Sequence, residues 1–155
     1  MPTPTIDPQL LRDIQSSEGC KLTAYRDTRG LWTIGYGHLL RQDIDWTGHT
    51  IAQAVADELL QQDIADALYK AEGESIWPDL DTDCRQNAVI ELAFNMGEKH
   101  WEEFKQCWAA IKARNWLAAS EQLLESAWAK EVGPTRSGRI AAYILRGTYS
   151  PPTAP

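Results

Sequence analysis

One stretch constrains the fold of this chain more than any other. Between Lys21 and Leu39 the helical spacing of apolar residues stops, and Thr, Tyr, Trp and Ile alternate with Gly and Asp. Glycines punctuate the run Gly30-Leu-Trp-Thr-Ile-Gly-Tyr-Gly-His38. Period-two alternation cut by glycine marks short strands joined by tight turns, so the stretch predicts a small antiparallel sheet. Ahead of it, Asp7-Pro8 makes an N-cap and first-turn pair, and Leu10, Leu11 and Ile14 form one apolar stripe. Gly19 supplies the stop, and the pattern predicts a helix over 8–18.

Helical periodicity returns after the sheet. Thr50 with Gln53 fits a capping box, and Ile51, Val55, Leu59, Ile64 and Leu68 repeat every four or five residues to Gly73, predicting one long helix over about 51–71. Another follows Asp81-Thr82-Asp83, carries Val89, Ile90, Leu92 and Phe94, and meets Gly97 as its stop. Shorter helices are expected near 101–113, 116–127 and 135–146, the last ended by Gly147. Ser150-Pro-Pro-Thr-Ala-Pro155 reads as a frayed end or the stub of a linker. The expected fold class is α+β and predominantly helical, in one domain over 1–155. Within it, a small N-terminal lobe (about 15–60 plus the helix 8–18) leads through the long helix to an all-α lobe over about 72–149.

Composition narrows the function classes. The chain has 43% hydrophobic and 24% charged residues, enough to bury a core and unlike a disordered chain. Its net charge of -7 disfavours nucleic acid and anionic membrane as partners. The acidity is local: 5 bases and 6 acids over 1–50, 3 and 11 over 51–100, and 7 and 5 over 101–155. Cys20, Cys84 and Cys107 show no C-x-x-C spacing and are expected as small reduced core residues, with no metal and no cofactor implied. No apolar run is long enough to span a bilayer, and Met1-Pro-Thr-Pro-Thr-Ile-Asp-Pro8 has neither the basic nor the apolar block of a signal peptide. The expectation is a soluble monomer made in a cytoplasm.

The chemistry concentrates around the sheet. Glu18 stands at a helix end and Asp27 in the first turn of the sheet. A pair of carboxylates in different environments is what glycoside hydrolysis needs, one giving a proton to the leaving oxygen and one ionised. At a helix C-terminus the unpaired carbonyls disfavour the charged form, which biases Glu18 toward the acid. Asp27, between Arg26 and Arg29 in a turn rich in backbone donors, is expected to stay ionised as the base or stabiliser. Thr33, on the strand that follows, carries a hydroxyl that could hold a water against Asp27. By residue type alone a helix end, a turn former and a strand filler read equally well.

The surrounding motif resembles the active-site signature of the phage-type lysozymes, the muramidase endolysins of glycoside hydrolase family 24. Their pattern is Glu, eight residues, Asp, five residues, Thr. Its anchors stand here as Glu18-Gly19, Tyr25-Arg-Asp27 and Thr33-Ile-Gly-Tyr-Gly-His38. The likeness extends to Phe94-Asn-Met-Gly97 and to a C-terminal block of Trp128, Arg136 and Arg139, covering about 8–149 and weakly between 40 and 60. It implies a lysozyme-like fold that cleaves the β-1,4 bond between N-acetylmuramic acid and N-acetylglucosamine with inversion. Glu18 is then the general acid, Asp27 the second carboxylate and Thr33 its water-holding partner. Leu39 and Phe94 match positions that line the sugar cleft in that family. Cys107 and Gln122 stand at two further lining positions, where the family enzyme has Ser and Asn. Arg136 aligns with an arginine that approaches the catalytic glutamate, against which stands a plain solvated helix charge. His38 is expected in a packing or ion-pair role with Asp63 as partner. Trp77, Trp101, Trp108, Trp116 and Trp128 are expected as packing residues, and Trp32 has the better claim to a sugar-stacking face.

Two function classes follow. The first is an endolysin whose partner is the peptidoglycan glycan strand, held in the host cytoplasm until a holin pore gives it access to the wall. The second is a catalytically weak muramidase-fold module that binds cell wall or a protein partner. Glu18→Gln separates them, since only an enzyme loses wall clearing with that change.

Overall fold

Asp7 opens the first helix, its side chain accepting the Gln9 N–H at 2.8 Å, and Pro8 takes the first helical position. The computed structural model describes residues 4–96 and 98–149. In it α1 runs Pro8–Glu18, buries Leu10 and Ile14, and ends at Gly19, whose φ of 64° continues no helix. Two compact units make up the chain, Met1–Asp66 and Ala67–Pro155, and the division falls inside the long helix.

In the first unit the expected sheet forms three antiparallel strands in the order β1 (Lys21–Arg26), β2 (Trp32–Gly35) and β3 (His38–Leu39). Tyr25 pairs with Thr33 and Arg26 with Trp32, while Thr33 and Ile34 pair onward with Leu39 and His38. All four residues of β2 are buried, so the middle strand is the floor of this unit.

The capping box expected at Thr50 and Gln53 does not form. Thr50 bridges to Thr23, and the Ile51 N–H donates to the Leu22 carbonyl at 2.9 Å, so both residues extend the outer edge of β1. The long helix α2 therefore starts later, at Gln53, and runs to Glu72. Its buried stripe also differs from the expected one. Ala56, Leu60, Ile64, Ala67 and Ala71 are buried, and Val55 is exposed. Alanine has little apolar surface to announce it in sequence, yet at this spacing it turns one helix face inward.

The second unit is helical. A 3-10 turn over Trp77–Asp79 precedes α3 (Asp83–Asn95), which is capped by Thr82 and so opens within the Asp81-Thr82-Asp83 run, not after it. The stretch expected as one helix near 101–113 is broken at Phe104 into α4 (Glu98–Glu103) and α5 (Lys105–Lys112). Then come α6 (Trp116–Glu125), α7 (Ala127–Val132) and α8 (Pro134–Arg146). The separate α7 begins where Ser126 leaves helical geometry and caps it, a break the apolar pattern does not carry. Gly97, the expected stop of α3, and the tail 150–155 lie outside the described residues; α3 ends at Asn95, with Met96 already extended.

Helix α3 is buried nearly all round and packs on α8. Its buried Arg85 and Glu91 are both paired with groups of α8. Arg85 donates to the carbonyls of Ile144 and Leu145 at the end of α8, at 2.8 and 3.0 Å, and lies over the Trp116 ring. This explains Gly147: at φ 70° a Cβ there would meet the Arg85 guanidinium at 2.8 Å. Trp101, Phe104, Trp108 and Trp128 form one aromatic cluster, as expected of packing tryptophans.

Candidate active site

The turn after β1 is built around the Asp27 side chain. Its Oδ1 accepts the N–H groups of Arg29 and Leu31, at 2.8 and 3.0 Å, while the Arg29 guanidinium reaches Oδ2 at 3.1 Å. The Asp27 N–H in turn donates to the Leu31 carbonyl at 2.9 Å. These contacts hold the Asp27 carboxyl below its ordinary range, the Leu31 N–H first among them. Asp27 is thus an anion at neutral pH, as its turn position suggests.

Leu31 ties this anion to the next residue of the motif. Its carbonyl also accepts the Thr33 hydroxyl at 2.9 Å, so one peptide unit bonds both Asp27 and Thr33. Thr33 is buried in β2, and with its hydrogen committed to Leu31 it offers only lone pairs.

Glu18 closes α1. A Cβ placed on Gly37 would stand 3.5 Å from its Oε2, which locates the carboxylate over the turn between β2 and β3. Gly37 has φ 83°, so the turn needs glycine and the carboxylate gains an open neighbour. Tyr25, on β1 between the two acids in sequence, reports on both: its hydroxyl is pushed up by burial, then by the charges of Glu18 and Asp27. Glu18, Tyr25, Asp27 and Thr33 therefore belong to one neighbourhood of the first unit.

The supporting residues divide. His38 and Asp63 are brought together, with Nδ1 2.9 Å from Oδ2. Burial pushes the Asp63 carboxyl up against the opposing pull of His38. Arg136 is not a solvated helix charge: it is buried, and its Nε donates to Glu91 at 3.2 Å. Arg139 adds two contacts of 2.8 Å to the same carboxylate.

Of the expected sugar contacts, Leu39 on β3 is 50% exposed and Phe94 on α3 is half-buried. Trp32 corrects the expectation of a stacking face. It is a core residue, 7% exposed, and the Arg26 guanidinium lies 4.4 Å from its ring centroid. Cys107 is likewise a core thiol, bonded to the Ala119 carbonyl and pushed up to about 12 by burial. It forms, with Phe104, Gln122 and Glu125, part of the lining of a cavity of about 540 Å³ in the second unit. Cys84 is buried as expected, whereas Cys20 is exposed beside Gln53.

Sequence reasoning missed Leu31 and Gln42. Both act through hydrogen bonds to or from the main chain, which side-chain spacing does not encode; the Gln42 amide holds the Trp32 backbone, with the Trp32 N–H 2.7 Å from its Oε1. A helical chain with a small sheet, one carboxylate at the helix end before it and another in its first turn has the architecture of a lysozyme-type glycoside hydrolase. The chain belongs to the phage lysozyme family, which it matches over residues 15–141.

Among curated proteins it is similar to a probable T4-type lysozyme 2 of Dictyostelium discoideum, 29% identical over 87% of this chain and 92% of that protein. It is 34% identical to an endolysin of Acyrthosiphon pisum secondary endosymbiont phage 1, over 54% of each chain. A third likeness is to the pre-baseplate central spike protein of Enterobacteria phage T4, 27% identical over 86% of this chain but 27% of that protein.

Proposed function

We propose that the protein is an inverting muramidase that hydrolyses the β-1,4 bond between N-acetylmuramic acid and N-acetylglucosamine in peptidoglycan. The observation that carries this reading is the Asp27 turn, whose donors keep that carboxylate ionised in the same neighbourhood as the Glu18 carboxylate. Glu18 protonates the glycosidic oxygen as the bond to the anomeric carbon breaks. A water donates one hydrogen to the Thr33 lone pair and the other to Asp27. Its own lone pair is then free to attack the anomeric carbon from the far face while Asp27 takes the proton. Inversion requires roughly 6.5–9.5 Å between the two carboxyl groups to admit that water.

On this reading the protein acts on glycan strands as a monomer. Its role is host lysis, with the enzyme held in the host cytoplasm until a holin pore opens. Likeness to an endolysin supports that role. The acidity of residues 51–100, awkward on a polyanionic wall, favours a second reading, a catalytically weak module that binds cell wall or a protein partner.

Clearing of outer-membrane-permeabilised bacteria decides between them. Wild type is expected to clear the suspension and Glu18→Gln to leave it turbid. Equal clearing by both removes Glu18 as the acid, and no clearing by either favours the module.

A further inference from the structure

Gln42 lies in the loop after β3, outside the signature, and its side chain is spent on main-chain groups. Its Oε1 accepts the Trp32 N–H at 2.7 Å, and its Nε2 donates to the Trp32 carbonyl at 3.1 Å and the Leu40 carbonyl at 2.6 Å. One amide thus satisfies both polar groups of a residue on β2, as a neighbouring strand would. Trp32 stands between Leu31, which bonds both Asp27 and Thr33, and Thr33 itself. The clamped residue is therefore the hinge of the Asp27–Thr33 arrangement. The Leu40 N–H also donates to the Trp32 carbonyl at 2.9 Å, which ties the loop to the same point.

We propose that Gln42 is a positioning residue for the hydrolytic water. By fixing the Trp32 peptide groups, it sets the Leu31 peptide and hence the spacing of the Asp27 carboxylate and the Thr33 hydroxyl. This rests on the assignment of Asp27 and Thr33 given above. Gln42 touches neither of them and is itself exposed, so a purely structural role would show in stability and leave turnover alone. A shift of a fraction of an ångström at a water-holding pair lowers the rate of the chemical step more than it changes substrate binding.

Gln42→Ala removes all three bonds. Gln42→Glu is nearly isosteric and keeps the acceptor for the Trp32 N–H, but sets a carboxylate against two carbonyl oxygens. Steady-state kinetics on soluble glycan fragments, thermal unfolding and amide exchange at residues 31–33 are measured for both variants and wild type. The expected result is a kcat about tenfold lower with KM unchanged for both variants. Faster exchange confined to Trp32 and its neighbours, and a melting temperature close to wild type, are expected with it. Wild-type kcat in Gln42→Ala, or unchanged exchange at Trp32, overturns the positioning role while leaving the hydrolase reading intact. Wild-type protein that releases no reducing ends overturns the hydrolase reading, and the positioning role with it.

Discussion

Asp27 draws its charge state from several partners of unequal durability. The Leu31 N–H belongs to the turn itself, whereas Arg29 is a 67% exposed side chain whose contact is screened by water. A carboxylate titration followed by NMR should therefore find Asp27 below the ordinary aspartate range. Arg29→Ala should raise its midpoint only part of the way back; a wild-type midpoint at or above the ordinary value would contradict this. The sign for stability follows. A depressed folded-state pKa means Asp27 stabilises the fold above its unfolded value, and that contribution is lost as pH falls through the folded one. Glu18, Asp27 and Thr33 stand out only through the resemblance to the phage-lysozyme signature, since by residue type alone they read equally well as a helix end, a turn former and a strand filler. What fixes their geometry was not legible, because Leu31 acts through its peptide group and would do so with almost any side chain.

At the scale of elements, legibility followed local chemistry. The first helix carries its own cap, stripe and stop, and its bounds read directly. The start of α2 did not, since Thr50 and Ile51 satisfy their backbone groups on β1, a pairing more than 20 residues away in sequence that no capping motif can foresee. The union of α3 with α8 was invisible for a related reason: Glu91, in an apolar run, meets Arg136 and Arg139 only after the chain has folded. At 1% exposure Glu91 faces the nearly buried guanidinium of Arg136 and the partly exposed one of Arg139. Glu91→Ala removes that buried counter-charge and is expected to lower unfolding free energy by roughly 3–5 kcal/mol in urea titration, the range for breaking a buried pair. A loss under about 1 kcal/mol would mean that the arginines reach solvent without cost.

For the whole molecule, charge is the property that sequence reports most completely and structure modifies least. With a net charge of -7, the chain approaches an anionic wall against repulsion. Salt screens that repulsion over roughly 8–10 Å at moderate ionic strength. Clearing of permeabilised cells is accordingly expected to speed up between very low and moderate salt; a steady decline with added salt would contradict the argument. The helical character and the small sheet were readable from periodicity, while the Trp32 stacking face and a buried Cys20 were not found, because burial is decided by packing of the whole unit.

In the proposed mechanism Glu18 as acid and Asp27 as base act from opposite faces of the anomeric carbon. Proton NMR of the first reducing ends released from peptidoglycan strands reads this directly. The α-anomer should appear first with wild type, and Glu18→Gln should release none. Initial release of the β-anomer, or undiminished release by Glu18→Gln, would contradict the mechanism.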